Sequence, residues 1–182
     1  INKKASESIA EEKTQLNLLL AVAKDETISK KKREEAIKAI NEISPEYLSN
    51  LTLDKINTTE ATTAIENYTK ALMNNARMKA AKDEIERIEK EKLPLEREKS
   101  ELNDFFSKAP KGSESYRIYE EKIGAITAKI NKLNKEGEEY TRIYTAAAKV
   151  VIPTSAEYEA KKKSEEEAAK KAAEEAAKNT AG

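Results

Sequence analysis

Apolar residues recur at helical spacing along the first third of the chain. Residues 4–23 and residues 29–42 each place them at intervals of three and four, as in an amphipathic helix. Short pieces at 45–48 and 52–56 carry further apolar side chains, enough to close a small core with the flanking helices. We therefore predict a compact helical subdomain over residues 4–72.

A much longer helix is predicted to follow this subdomain. Asn57 or Thr58 is a suitable N-cap, and the helical pattern continues to about Phe106. Pro94 lies inside the pattern, where its ring removes one backbone hydrogen bond, so we expect a kink there. The seven-residue spacing of apolar residues continues on both sides of the proline, which favours one continuous helix over two.

The clearest turn of the chain comes next, at about residues 107–115. Proline, glycine and small polar residues meet in it, and its tip is Pro110, Lys111 and Gly112. A second helix begins directly afterwards and keeps strict three-and-four apolar spacing over residues 116–147.

The two long helices share one register. Residues that face each other across an antiparallel hairpin have numbers with a constant sum. Three apolar pairs that meet this condition are Leu95 with Ile126, Ile88 with Leu133 and Phe105 with Tyr116, and two other apolar pairs meet it as well. We therefore predict an antiparallel coiled-coil hairpin over residues 73–152; the alternative is a parallel oligomer that uses either seam between chains. The predicted seam consists of Ala81, Ile88, Leu95, Leu102, Phe105, Tyr116, Tyr119, Ile123, Ile126, Ile130, Leu133 and Tyr140.

Gly137 also falls on this seam, where a larger residue would pack better. Two interpretations stay open: a close approach of the opposite arm near Glu84 and Ile85, or a local bend.

The last segment, residues 153–182, is rich in alanine, glutamate and lysine. Thr154 and Glu157 have the spacing of a capping box. Ion pairs four residues apart stabilise such a helix by only about 0.2–0.5 kcal/mol each, so we predict a semi-rigid helical spacer that frays. The predicted fold is therefore all-α: a small N-terminal helical subdomain, a long antiparallel coiled-coil hairpin and a C-terminal Ala/Glu/Lys-rich helix.

Composition excludes several kinds of chemistry. The 182 residues contain no histidine and no cysteine, so imidazole bases, thiolate nucleophiles and Cys/His zinc sites are absent. The 34 basic residues equal the 34 acidic ones in number, which argues against a nucleic-acid contact. The longest apolar run, residues 18–23, is far shorter than the roughly 20 residues of a membrane span. We expect no enzyme activity, no cofactor, no metal and no membrane span.

Residues 16–81 have a more distinctive sequence than a generic helical protein. The most telling parts are DET at 25–27, ISPEYLSNLTLDKIN at 43–57 and NARMKAA at 75–81. This stretch resembles a segment of phage tail tape-measure proteins, especially those of Bacteroidetes phages and prophages.

The resemblance implies a structural role. Tape-measure proteins are long, mainly helical chains inside the tail tube, whose length determines how far the tube polymerises. It implies partners among tail-tube or tail-assembly proteins, self-association with further copies, and a place in the virion tail after assembly in the cytoplasm of the bacterial host. Because a hairpin halves the reach of its residues, this segment would be a compact end or a chaperone-contacting region. The alternative function is a binding module, like those of bacteriocins and some secreted effectors, that contacts a partner through the tip of the hairpin.

Overall fold

A computed structural model describes residues 1–180 of the chain, with side chains through Glu174, and contains only helices and connecting segments over that range. Residues 181 and 182 of the predicted C-terminal segment lie outside the described part. The predicted all-α fold with its helical hairpin is confirmed. The helices are α1 (Asn2–Ser8), α2 (Ala10–Lys24), α3 (Lys30–Ile43), α4 (Pro45–Leu48), α5 (Thr59–Lys108), α6 (Glu114–Ala148) and α7 (Ser155–Thr180).

The first helix predicted from the sequence is divided in two. Ile9 separates α1 from α2 with φ of −107° and ψ of 2°, outside helical geometry, although its carbonyl still accepts a 2.9 Å hydrogen bond from the Lys13 amide. The prediction of one uninterrupted helix over residues 4–23 was therefore wrong. The physical reason is that the chain up to Glu7 packs with the hairpin, whereas the chain from Ser8 onward packs in the subdomain.

One compact unit consists of Ser8–Met73 and the residues from Val151 onward. Pro45 opens its single-turn helix α4 at the first helical position, where the missing amide hydrogen costs nothing. Fully burying a leucine or isoleucine side chain contributes about 1.5–3 kcal/mol, so a few such residues can hold short helices together. The buried core of this unit is Leu16, Ala23, Ala36, Ile37, Ile40, Leu48, Leu51, Ile56, Ala61 and Tyr68.

The start of α7 belongs to this unit, whereas the sequence pattern predicts that residues 153–182 form a spacer. The predicted capping box is present: Glu157 Oε2 accepts from the Thr154 amide at 2.9 Å, and Thr154 Oγ1 accepts from the Glu157 amide at 3.3 Å. Asn67 Nδ2 donates to the Pro153 carbonyl at 3.3 Å. The start of α7 is thus fixed both by its own capping box and by Asn67 of α5, and helix propensity alone does not reveal the second contact.

The other unit consists of Ile1–Glu7 and Asn74–Val150. The hairpin arms are α6 and the part of α5 that lies in this unit. α5 runs without a break through Pro94, so the prediction of one continuous helix is confirmed. Thr58 is its N-cap, because its Oγ1 accepts a 3.3 Å hydrogen bond from the Ala61 amide.

Candidate functional site: the hairpin seam and tip

Most of the predicted seam residues are shielded from solvent. Ala81, Ile88, Ile126 and Ile130 are buried, and Ile88 is among the most enclosed large side chains of the described chain. Phe105 is the exception, because 56% of it is exposed. The remaining seam residues are half-buried: Leu95, Leu102, Tyr116, Tyr119, Ile123, Leu133 and Tyr140.

The aromatic residues near the tip pair differently from the prediction, which placed Phe105 opposite Tyr116. Instead the rings of Phe106 and Tyr116 lie 4.4 Å apart between centroids, and Phe105 stacks on Tyr119 at 6.0 Å. Both phenylalanines follow Leu102 at helical spacing, three and four residues on, so periodicity could not choose between them. The structure places Phe106 on the half-buried side and leaves Phe105 at the edge.

Two lysines occupy positions between the apolar residues of α5. Lys92 lies between Ile88 and Leu95, its side chain is only 15% exposed, and its Nζ is 3.1 Å from Glu89 Oε1. Lys99 is half-buried in the equivalent place one heptad later. A lysine stem can cover apolar surface while its ammonium group stays in water, which explains how these residues fit. The apolar pattern alone does not reveal these lysines, because lysine is not an apolar residue.

A buried carboxylate lies near the base of the hairpin. Glu84 is 8% exposed and accepts hydrogen bonds from Lys4 Nζ and, at 2.8 Å, from Arg87 Nε. The hydrogen bond from Lys4, followed by that from Arg87, holds the pKa of Glu84 below its usual range. The same contact raises the pKa of Lys4. This pair joins α1 to α5 over 80 residues of sequence.

Polar contacts also join the two arms. Arg87 Nη2 is 3.8 Å from Glu136 Oε2 on α6. Asn74 Nδ2 donates to the Ala147 carbonyl at 2.9 Å. The residue numbers of Asn74 and Ala147 have the same sum as those of the predicted apolar pairs, so this hydrogen bond lies in the predicted register. The predicted register was built from apolar pairs, so it did not include polar pairs of this kind.

Gly137 faces Ile88, and not Glu84 or Ile85 as one interpretation supposed. A Cβ atom added to Gly137 would lie 3.7 Å from Ile88 Cγ2, which is ordinary van der Waals contact. The arms are therefore no closer here than an alanine would allow. Beside the glycine, an open groove of about 580 Å³ is lined by Ile85, Leu133 and neighbouring polar residues.

The predicted tip residues Pro110, Lys111 and Gly112 are all exposed. Gly112 has φ of +77°, in the left-handed region that favours glycine. The Ser113 amide donates to the Pro110 carbonyl at 3.0 Å, and Ser113 Oγ accepts from the Tyr116 amide at 3.2 Å, which caps α6. The tip is consequently a tight, well-bonded turn.

Among the side chains described, those of residues 1–174, there is no cluster of three or more acidic residues, histidines or cysteines that would suit a metal ion. Within the same range, none of the helices has both the length and the apolar character that crossing a bilayer requires.

Comparison with known proteins adds no relative. No protein family, no curated protein and no solved structure matches this chain.

Proposed function

We propose that this chain is a structural segment of a phage tail tape-measure protein that acts in tail assembly and tail-length determination. The observation that carries the proposal is the resemblance of residues 16–81 to such proteins. All ten core residues of the compact subdomain fall within that stretch. The stretch that resembles tape-measure proteins therefore contains the whole buried core of this subdomain.

The long helices support a mechanical role. A helix has a fixed rise per residue, and the 35 residues of α6 extend about 53 Å. Because α6 folds back along α5 in the hairpin, the segment is a compact end or a chaperone-contacting region of the parent protein. Its partners are then tail-tube or tail-assembly proteins, and its place is the virion tail, assembled in the cytoplasm of the bacterial host.

The context of the gene tests this proposal first. The complete gene should encode a far longer chain and lie beside tail-tube genes. A freestanding short gene with its own start would contradict the proposal.

An in-frame deletion of residues 73–152 in the phage genome tests the assignment to a compact end. The expected result is fewer assembled particles whose tails keep their normal length, measured by electron microscopy. Tails shortened in proportion to the deleted helices, at about 1.5 Å per residue, would instead make the hairpin part of the ruler.

A second candidate function is a binding module that contacts a partner through the tip. The observation that favours it is the exposure of apolar side chains on both helices that lead to the turn: Phe105 and Ile118 are both exposed, as is Lys111 at the tip. In a pull-down, Lys111→Glu should abolish partner capture, whereas Lys129→Glu, an exposed substitution far from the tip, should not. Equal capture by both variants would remove this candidate.

A further inference from the structure

The unit that contains the hairpin includes one short helix besides the two arms. α1 has seven residues, and Lys4 on it forms an ion pair with Glu84 of α5. Ala5 is the buried residue of α1, and Ile1, just before the helix, is half-buried. Isolated helices of fewer than about 12–15 residues are marginal in water, so α1 depends on its docking to remain helical.

Burial on one flank of α5 shows where α1 docks. Ala80 and Glu84 are four residues apart on one face of the helix, and each is 8% exposed. The residues one heptad later on the same face, Arg87 and Glu91, are exposed. The covering element therefore reaches over about one heptad of α5, and the seven residues of α1 match that length. The contact of Lys4 with Glu84 places α1 on this face.

Glu84 connects α1 to both arms of the hairpin. Its Oε1 accepts from Lys4 Nζ, and its Oε2 accepts from Arg87 Nε at 2.8 Å. Arg87 Nη2 is in turn 3.8 Å from Glu136 Oε2 on α6. A buried carboxylate that loses a charged hydrogen-bond partner still bears the cost of its removal from water. The contact between Lys4 and Glu84 therefore contributes strongly to the docking of α1.

α1 can leave this face while the arms stay together. The break at Ile9 separates α1 from α2, so release of α1 does not require α2 to unwind. α1 buries little apolar area, because its buried side chain is an alanine, whereas the seam buries isoleucines such as Ile88 and Ile126. Segments with few buried apolar contacts open locally at a lower free energy than global unfolding requires. Undocking of α1 therefore costs less than separation of the arms.

We propose that α1 is a strap, which docks on the hairpin and leaves it as one unit, and that the ion pair of Lys4 with Glu84 is its latch. When the strap is docked, Ala80 and Glu84 are covered. When the strap is released, α1 unfolds and this face of α5 is open to solvent, while α5 and α6 remain packed together. This inference does not depend on the proposed role in a phage tail.

The reactivity of a single cysteine measures the position of the strap, because the natural chain has no cysteine. Ala80→Cys should react with a thiol reagent much more slowly than Gly124→Cys, which is at an exposed position. Adding Lys4→Gln removes the latch and should increase the reaction rate of Ala80→Cys at least about tenfold. Lys3→Gln is the matched control, because Lys3 pairs with Glu7 inside α1, and it should leave the rate nearly unchanged.

A second cysteine position distinguishes release of the strap from opening of the hairpin. Ala81→Cys, next to Ala80 but on the seam, is fully buried and should react slowly both with and without Lys4→Gln. Glu84→Gln removes the latch from the α5 side and should also increase the rate of Ala80→Cys.

Three results would overturn the proposal. The first is an equal increase at Ala80→Cys and Ala81→Cys, because the arms would then separate together with the strap. The second is a rate of Ala80→Cys that Lys4→Gln leaves unchanged or that Lys3→Gln increases equally. The third is a rate of Ala80→Cys that already equals that of Gly124→Cys while the latch is intact.

Discussion

Ile88 lies opposite Gly137 across the hairpin, at a distance that leaves room for one more carbon: a Cβ atom on Gly137 would be 3.7 Å from Ile88 Cγ2. The glycine is in the middle of α6, where it costs about 1 kcal/mol of helix propensity relative to alanine. Because the added methyl group would meet Ile88 at ordinary contact distance, nothing in the packing requires glycine at this position.

We expect Gly137→Ala to stabilise the hairpin by about 1 kcal/mol, seen as an increase in the midpoint of thermal unfolding monitored by circular dichroism. Gly124→Ala is the matched control on the same helix, because a Cβ there meets no atom within 4 Å. Gly124→Ala should be stabilised only by the higher helix propensity of alanine. A loss of stability in Gly137→Ala without one in Gly124→Ala would show that the arms approach more closely than described.

Replacement of the turn glycine should lower stability instead of raising it. Gly112 has a positive φ, so Gly112→Ala should lower the free energy of unfolding by about 1–2 kcal/mol. Lys111→Ala, at the neighbouring exposed position, should change it by less than about 0.5 kcal/mol. Urea titration of both variants gives the comparison, and equal stability of the two would contradict the assigned turn geometry.

The two adjacent phenylalanines should differ in their contribution. Phe106 is half-buried against Tyr116, so Phe106→Ala should destabilise the hairpin by about 2 kcal/mol. Phe105→Ala should cost under about 1 kcal/mol, because more than half of that residue is exposed. Chemical denaturation of both variants measures the difference. A larger loss of stability in Phe105→Ala than in Phe106→Ala would instead support the predicted pairing of Phe105 with Tyr116.

The buried carboxylate at the hairpin base should make stability depend on pH. The hydrogen bonds from Lys4 and Arg87 lower the pKa of Glu84 in the folded state, so its contribution is present above the unfolded pKa of about 4.3. This contribution is lost as the pH falls through the lower, folded pKa. Glu84→Gln should therefore be less stable than the natural chain at pH 7, by a margin that shrinks towards pH 3.

The matched control for this prediction is Glu98→Gln, which removes an exposed carboxylate from the same helix. The difference in free energy of unfolding between Glu98→Gln and the natural chain should stay near zero over that pH range. A margin for Glu84→Gln that does not change with pH would contradict the proposed contacts with Lys4 and Arg87.

The sequence predicted those features of the fold that depend on neighbours along the chain. Spacing of apolar residues located both long helices, and proline, glycine and small polar residues located the turn at Gly112. Local hydrogen-bonding chemistry indicated the caps: it offered Asn57 or Thr58 for α5, of which the structure uses Thr58, and Thr154 with its partner Glu157 for α7. In each case the interacting residues lie within one or two helical turns, which is the range that a pattern can report.

Features that depend on distant residues could not be predicted in this way. Glu84 is buried because Lys4 reaches it from 80 positions away, and a glutamate on a helix otherwise indicates a solvated face. The break at Ile9 arises because the segments on either side pack in different units. The segment that leads into α7 likewise receives a hydrogen bond from Asn67, far earlier in the chain.

The most direct test of the central claim is whether α5 and α6 join within one molecule. Leu95→Cys and Ile126→Cys in the same chain should crosslink internally at high dilution. Leu95→Cys combined with Tyr144→Cys, offset from the predicted partner by 18 residues or about 27 Å along the helix, should not. Crosslinks that form only between chains would contradict the hairpin and support a parallel oligomer.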